Sequence, residues 1–313
     1  MLLTRRDIGK LALTAGGVAR LMAAAKPNSN FGGVQIGAIT YSFRALPGSA
    51  PEVLNYCLDC GISAIELMSN VAESYAGAPA SPRGQKGAAQ RKGPPGELKQ
   101  WRLSASMDKY KAFRKMYEDA GVKIYAFKLP PTMSMSDPEY DYIWNVAETL
   151  GANHITMELP TEDTFLQRVA DFAAKRKLRI AFHTHGQGGA SGFDKVLAAS
   201  NYTALNFDVG HYYGVTGESP VPLLEKYHDR IASLHLKDRK GPNSAGGNTG
   251  PRGGGPNMPW GQGETPLKEI LQLMKKQKYK FPASIEYEYT TPEGSDVLTE
   301  VKKCVEYCKK ALA

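Results

Sequence analysis

The feature that most constrains this 313-residue chain is an alternation: after Pro27, β-type runs and amphipathic helical patterns follow one another eight times. The β-type runs are Val34–Phe43, Ser63–Met68, Val122–Leu129, Asn153–Leu159, Leu178–His185, Thr203–Val209, Ile231–Leu236 and Ala283–Tyr289. Helical spacing follows at Pro51–Cys60, Met107–Ala120, Pro138–Leu150, Glu162–Lys177, Gly192–Ser200, Pro222–Arg230, Pro266–Lys276 and Ser295–Leu312. Strands separated by helices pair in parallel, and eight units of this length suit a closed barrel better than an open sheet. The sequence therefore predicts an α/β fold, a single-domain (β/α)8 TIM barrel over residues 32–313. An apolar content of 42% is enough for one large core. No G-x-G-x-x-G fingerprint opens the first helix, which counts against a dinucleotide fold.

Two insertions interrupt the repeat. Residues 69–106 are rich in Gly, Ala, Pro and basic residues, among them Arg83, Lys86, Arg91 and Lys92. Residues 239–264 are mostly Gly, Pro and Asn and end Pro259-Trp260-Gly261-Gln262-Gly263-Glu264. Both follow a strand, so both are expected as loops on the catalytic face of the barrel.

The N-terminus combines Arg5-Arg6, a weak apolar stretch from Leu11 to Met22 and Ala23-Ala24-Ala25. That order fits a twin-arginine export signal over residues 1–25, with a periplasmic or otherwise exported product and no membrane anchor after processing. The alternative is an amphipathic helix packed on the domain. Arg5, Arg6, Lys10 and Arg20 against Asp7 account for part of the net charge of +8, and the rest is spread over the body. No nucleic-acid partner is expected on that basis. Cys57, Cys60, Cys304 and Cys308 lie within helical patterns without a nearby His and read as structural thiols.

Barrel strands are buried on both faces, so charged residues inside them need a reason. Here they recur with period two near the strand ends: Thr156 and Glu158; His183 and His185; Asn206 and Asp208, with His211 beyond; Ser233, His235 and Lys237; Ser284, Glu286 and Glu288. Each set shares one parity and points inward together. Burying several carboxylates side by side without a cation would be very costly. The pattern therefore predicts one divalent metal in an oxygen-rich site, Mn2+ ahead of Mg2+, Co2+ or Zn2+.

Val209-Gly210-His211 after Asp208, His235-Leu236-Lys237-Asp238, the Trp-Gly-x-Gly segment and Ile285-Glu286-Tyr287-Glu288 together resemble the xylose isomerase-like barrel superfamily, or AP endonuclease family 2. The resemblance implies Glu158, Asp208, His235 and Glu286 as metal ligands. It also implies Glu158 and Glu286 as an acid–base pair, with His185 as a rival base or ligand. Relatives often carry the first Glu one strand later, where this chain has His183-Thr184-His185. His183, His211, Lys237, Lys128, Glu66 and Trp260 are expected to face a sugar-like substrate. A structural Glu66–Lys128 ion pair and a packed Trp260 loop anchor are the alternatives.

The expected function is a metal-dependent sugar isomerase or epimerase that removes a proton next to a carbonyl. The alternative is a lyase or dehydratase acting by β-elimination on a 3-keto-glycoside or inosose. A non-catalytic sugar-binding barrel would call for a degraded ligand set, and this one is intact. An AP endonuclease would need three zincs, hence His ligands that the second and third β-type runs lack. The sequence leaves a homo-oligomer open. The export reading is checked directly: the Arg5→Lys, Arg6→Lys double variant should accumulate as cytoplasmic precursor, and normal processing and export of that variant would overturn it.

Overall fold

The computed structural model describes residues 26–79, 96–185, 189–247 and 253–313. Residues 1–25, with the paired arginines, and Arg83, Lys86, Arg91 and Lys92 lie outside them. Eleven strands are formed by the described residues: β1 Asn30–Phe31, β2 Val34–Ile39, β3 Ala64–Met68, β4 Lys123–Lys128, β5 His154–Glu158, β6 Arg179–His183, β7 Thr203–Asp208, β8 Ile231–Leu236, β9 Asp238–Arg239, β10 Asn257–Met258 and β11 Ala283–Ile285. Strands β2 through β8 pair in parallel in chain order, and β11 joins β8 to β2 and closes the barrel. This is the (β/α)8 barrel that the alternation predicts. β1 turns back antiparallel on β2 at the N-terminal end, where Ser29 Oγ donates to Ile36 O at 2.6 Å.

The outward-facing strand residues Ile36, Ile65, Leu67, Ile155, Phe182, Leu205, Phe207, Leu234 and Ile285 are buried with Val53, Phe113, Ile143, Trp144, Val169, Leu271 and Val301 of the helices. That layer of apolar contact holds the helices to the barrel and leaves the interior to the other parity. Helix starts follow local chemistry. Ser49 and Ser136 each form a capping box with the acid three residues on, Glu52 and Glu139, ahead of helices Ala50–Asp59 and Asp137–Leu150. All four cysteines are buried and unbridged, as structural thiols should be.

Several elements depart from the sequence reading. The first β-type run turns into a 3-10 turn over Thr40–Phe43, and the last leaves the ladder after Ile285. The two irregular ends hold each other: Ser42 Oγ donates to Ile285 O, Tyr287 N donates to Ser42 Oγ, and Arg44 Nη1 donates to Tyr287 O. Residues 69–106, expected as a loop, carry helices Ser69–Ala76 and Glu97–Ser104. A further helix, Val209–Thr216, follows β7 directly. Gly, Ala and Pro between residues 77 and 95 dominate the composition of the first insertion and mask the short helices at its ends.

Those two short helices are clamped by one buried ion pair. Arg102 Nε and Nη2 donate to Glu73 at 2.7 and 3.2 Å, and Tyr142 Oη adds a bond to the same carboxylate at 3.1 Å. Glu73 is fully buried. Glu73→Ala leaves a buried guanidinium unpaired and should lower the unfolding free energy by about 3 kcal/mol, read from the urea midpoint. A loss below about 0.5 kcal/mol would show that the pair does not clamp the segment.

Candidate active site

The parallel register sets Asp208 beside His235, His235 beside Ser284, and His183 beside both Glu158 and Asn206. Glu286, two residues past Ser284, shares its inward parity, and its N–H still donates to Leu236 O at 3.0 Å. Five consecutive strand ends thus deliver polar side chains to one mouth. At the axis lies His235, with Nε2 2.7 Å from Glu66 Oε2 and Nδ1 2.6 Å from Glu286 Oε2. A ring with a carboxylate at each nitrogen carries both protons. Burial opposes that charge, but the two carboxylates prevail and raise His235 to about 10. Burial likewise would raise Glu66, yet His235, Lys128 and the Thr156 hydroxyl bring it down to about 2.

The same network fixes the other imidazoles. Asn206 Nδ2 donates to Glu66 Oε2 at 3.1 Å and to Ser233 Oγ at 2.7 Å, so its Oδ1 is the atom facing His183 Nδ1 at 2.9 Å. His183 therefore carries its proton on Nδ1 and a lone pair on Nε2, which lies 3.9 Å from Asp208 Oδ2. Burial, with Lys128 and His235 nearby, holds this ring neutral, its pKa well below the usual value. His211 is the reverse case. Arg239 Nη1 donates to its Nδ1 at 2.7 Å, because a guanidinium has no acceptor, so the proton sits on Nε2.

Asp208 Oδ1 accepts the His211 backbone N–H at 2.7 Å and caps helix Val209–Thr216. Its Oδ2 is buried without a hydrogen-bond partner, although the Lys237 ammonium stands 3.0 Å away in ion-pair contact. Burial and the charge of Glu286 raise Asp208 against the pull of Lys237. Lys237 Nζ also lies 3.1 Å from Glu286 Oε2 and 2.7 Å from Glu288 Oε2.

His183, Asp208, His235 and Glu286 each offer one ligand atom, all within 4.8 Å of one another and all buried. An orphaned carboxylate oxygen, a bare imidazole nitrogen and a second carboxylate beside a second imidazole form a donor set that suits a divalent transition ion. His183, His185 and His211 form a second such group, three imidazoles without a carboxylate.

Glu158, expected as a ligand, is not among the four, whereas His183, expected against substrate, is. Glu158 opens toward solvent, with a side chain 41% exposed, and its charge is engaged by His185 Nδ1 at 2.7 Å and Lys128 Nζ at 3.8 Å. Burial would raise its carboxyl, yet the His185 N–H, His183 and Lys128 hold it down to about 2. Lys128 thus pairs with Glu158, and Glu66 takes His235 rather than Lys128 as its close partner.

The Trp-Gly-x-Gly segment is held by a residue that sequence reasoning gave no role. Asp238 accepts backbone N–H groups from Gly261, Gly263 and Thr265 at 2.8, 3.0 and 3.2 Å. A Cβ at Gly263 would come 2.2 Å from Asp238 Oδ1, which explains a glycine there. Trp260 stands edge-on to Tyr307 of the last helix, with ring centroids 5.7 Å apart, and anchors the loop. The adjacency of Asp238 to the inward-pointing His235 and Lys237 was the available signal.

The His235 network gives a pH dependence. His235 is raised from 6.5 to about 10, so its stabilisation is complete below pH 6.5 and lost as pH rises through 10. Glu66 is lowered from 4.5 to about 2, so its share is complete above pH 4.5 and lost as pH falls through 2. Metal-free protein should therefore show a Tm that falls from pH 6.5 to 10, with a shallower fall in Glu66→Gln. An equal alkaline fall in both proteins would contradict the pairing.

Residues 164–309 match the family described as Xylose isomerase-like TIM barrel. An inosose dehydratase of Clostridium botulinum (strain Eklund 17B / Type B) is 37% identical over 78 residues, which is 23% of this chain and 26% of that protein. The chain thus matches about a quarter of the length of this curated relative. Among solved structures, a probable 3-DHS dehydratase of Bacillus anthracis superposes with TM-score 0.59 at 15% identity, covering 87% of this chain and 97% of the other. The 3-keto-D-glucoside 4-epimerase of E. coli superposes with TM-score 0.57 at 10% identity, covering 88% and 99%. Over residues 164–309 the sequence thus matches the xylose isomerase-like TIM barrels, and the solved structures share the barrel fold.

Proposed function

We propose that this chain is a metal-dependent isomerase or epimerase that removes a carbon-bound proton next to a carbonyl of a sugar or keto-sugar. The observation that carries the reading is the convergence of His183, Asp208, His235 and Glu286 beside a Glu158–His185 pair at one barrel mouth. The four would hold one divalent ion, Mn2+ ahead of Mg2+, Co2+ or Zn2+, once His235 gives up one of its two ring protons. When bound, that ion polarises a substrate oxygen and acidifies the neighbouring C–H. Glu66 acts through His235, fixing its ring by the bond to Nε2.

Proton removal falls to His185. Its Nδ1 faces Glu158 Oε2, a carboxylate that orients the ring and stabilises the imidazolium formed when Nε2 takes a proton. Glu286, beside the ion, is the candidate second acid–base group. The Nε2–H of His211 and the Lys237 ammonium are donors suited to substrate hydroxyl or carbonyl oxygens. We assign Trp260 to loop anchoring. The N-terminal twin-arginine pattern supports export to the periplasm.

A second reading, β-elimination on a 3-keto-glycoside or inosose, draws on the partial match to an inosose dehydratase. Both readings share the proton abstraction and differ in whether a leaving group departs from the adjacent carbon. Ketoses, 3-keto-glycosides and inososes incubated with the Mn2+-loaded protein in D2O separate them by NMR. Deuterium at the carbon beside the carbonyl in a substrate isomer supports isomerisation, loss of water supports elimination, and no exchange with any of them overturns the proposal. His185→Ala should keep its metal content and lose turnover by about a hundredfold or more. Near-normal turnover in that variant would remove His185 as the base.

A further inference from the structure

Lys237 is among the largest fully buried side chains of the protein, and its ammonium lies within 3.1 Å of three carboxylates. Two of those, Asp208 and Glu286, belong to the four-residue donor group, and the oxygens nearest the ammonium are Asp208 Oδ2 and Glu286 Oε2. The third, Glu288, lies outside that group and is the most exposed, at 21% of its side chain. The backbone is shaped around this lysine. A Cβ at Gly210 would stand 2.3 Å from Lys237 Cγ and 2.4 Å from its carbonyl oxygen, so only a glycine between Asp208 and His211 leaves room for the side chain. The Val209-Gly210-His211 and His235-Leu236-Lys237 segments are thus one packed unit. Asp208 Oδ2 lacks a hydrogen bond even so, which marks the ammonium as an ion-pair neighbour of this oxygen and not its satisfied partner.

Resting on the metal reading above, we propose that Lys237 is a built-in counter-cation that holds Asp208 and Glu286 together before metal arrives and that the metal must displace. Without a positive charge between them, two buried carboxylates would repel and the site would splay or take up protons. With the ammonium in place, they stay converged. A divalent ion competes for the same two oxygens, and Lys237 retains Glu288, its shortest contact, as the ion enters. The lysine therefore lowers metal affinity while keeping the empty site ordered, and it stands beside the loaded ion as a donor to substrate.

Calorimetric titration of demetallated full-length protein with MnCl2 tests this. Lys237→Met should bind Mn2+ at least about tenfold more tightly than wild type, because no ion pair has to be broken. Its metal-free form should melt at a lower temperature and regain more on adding Mn2+ than wild type does. Lys128→Met removes a cation that faces Glu158 and should change Mn2+ affinity by less than about threefold, which separates displacement from a general loss of charge. Lys237→Gln serves the same comparison should the methionine variant fail to fold. Equal affinities in wild type and both Lys237 variants, or an equal gain in Lys128→Met, would overturn the inference and leave the metal reading standing. Absence of Mn2+ binding in all of these proteins would end the metal reading and this inference with it.

Discussion

A charged imidazole on the axis of a barrel is the constraint on which the rest of this site depends. His235 is fully buried, and its charge survives only because Glu66 from β3 and Glu286 beyond β11 approach its two nitrogens from opposite sides. In a low-dielectric interior such a triad is stable only while every member is present and hydrogen-bonded. Thr156 and Asn206 complete Glu66, and Lys237 completes Glu286. Strands that are far apart in sequence are thereby tied at one level of the barrel.

The triad also has a directional consequence. Because Glu66 accepts from Asn206 Nδ2, the Asn206 carbonyl oxygen turns to His183 and places that ring's proton on Nδ1. The His183 lone pair then faces Asp208, while Arg239 forces the opposite tautomer on His211. Two neighbouring histidines become a candidate ligand and a candidate donor through their partners.

Much of this was legible in the sequence, for reasons specific to barrels. Strand and helix periods differ, so the eight units stood out, and shared parity sent His183, Asp208, His235 and Glu286 inward together. Parity says which face a residue occupies but not how deep it lies. Glu158 and His183 share the inward face, yet Glu158 meets His185 and Lys128 at the opening while His183 reaches Asp208. Depth depends on strand register, which no single strand encodes. Glu66 was read as a substrate contact or a partner of Lys128 for the same reason. Trp260 was read as a substrate wall or a packed loop anchor, and the Asp238 carboxylate draws the glycine backbone in while the indole meets Tyr307.

The central claim is that His183, Asp208, His235 and Glu286 form one metal centre. Anomalous diffraction from a crystal grown with Mn2+ tests it most directly, because the signal locates the ion independently of activity. The account predicts one strong peak with His183 Nε2, Asp208 Oδ2, a His235 nitrogen and a Glu286 oxygen within roughly 2.0–2.5 Å. A peak bound instead by Glu158 and His185, or a fully ordered site in which Lys237 still bridges Asp208 and Glu286 and no peak appears, would contradict it.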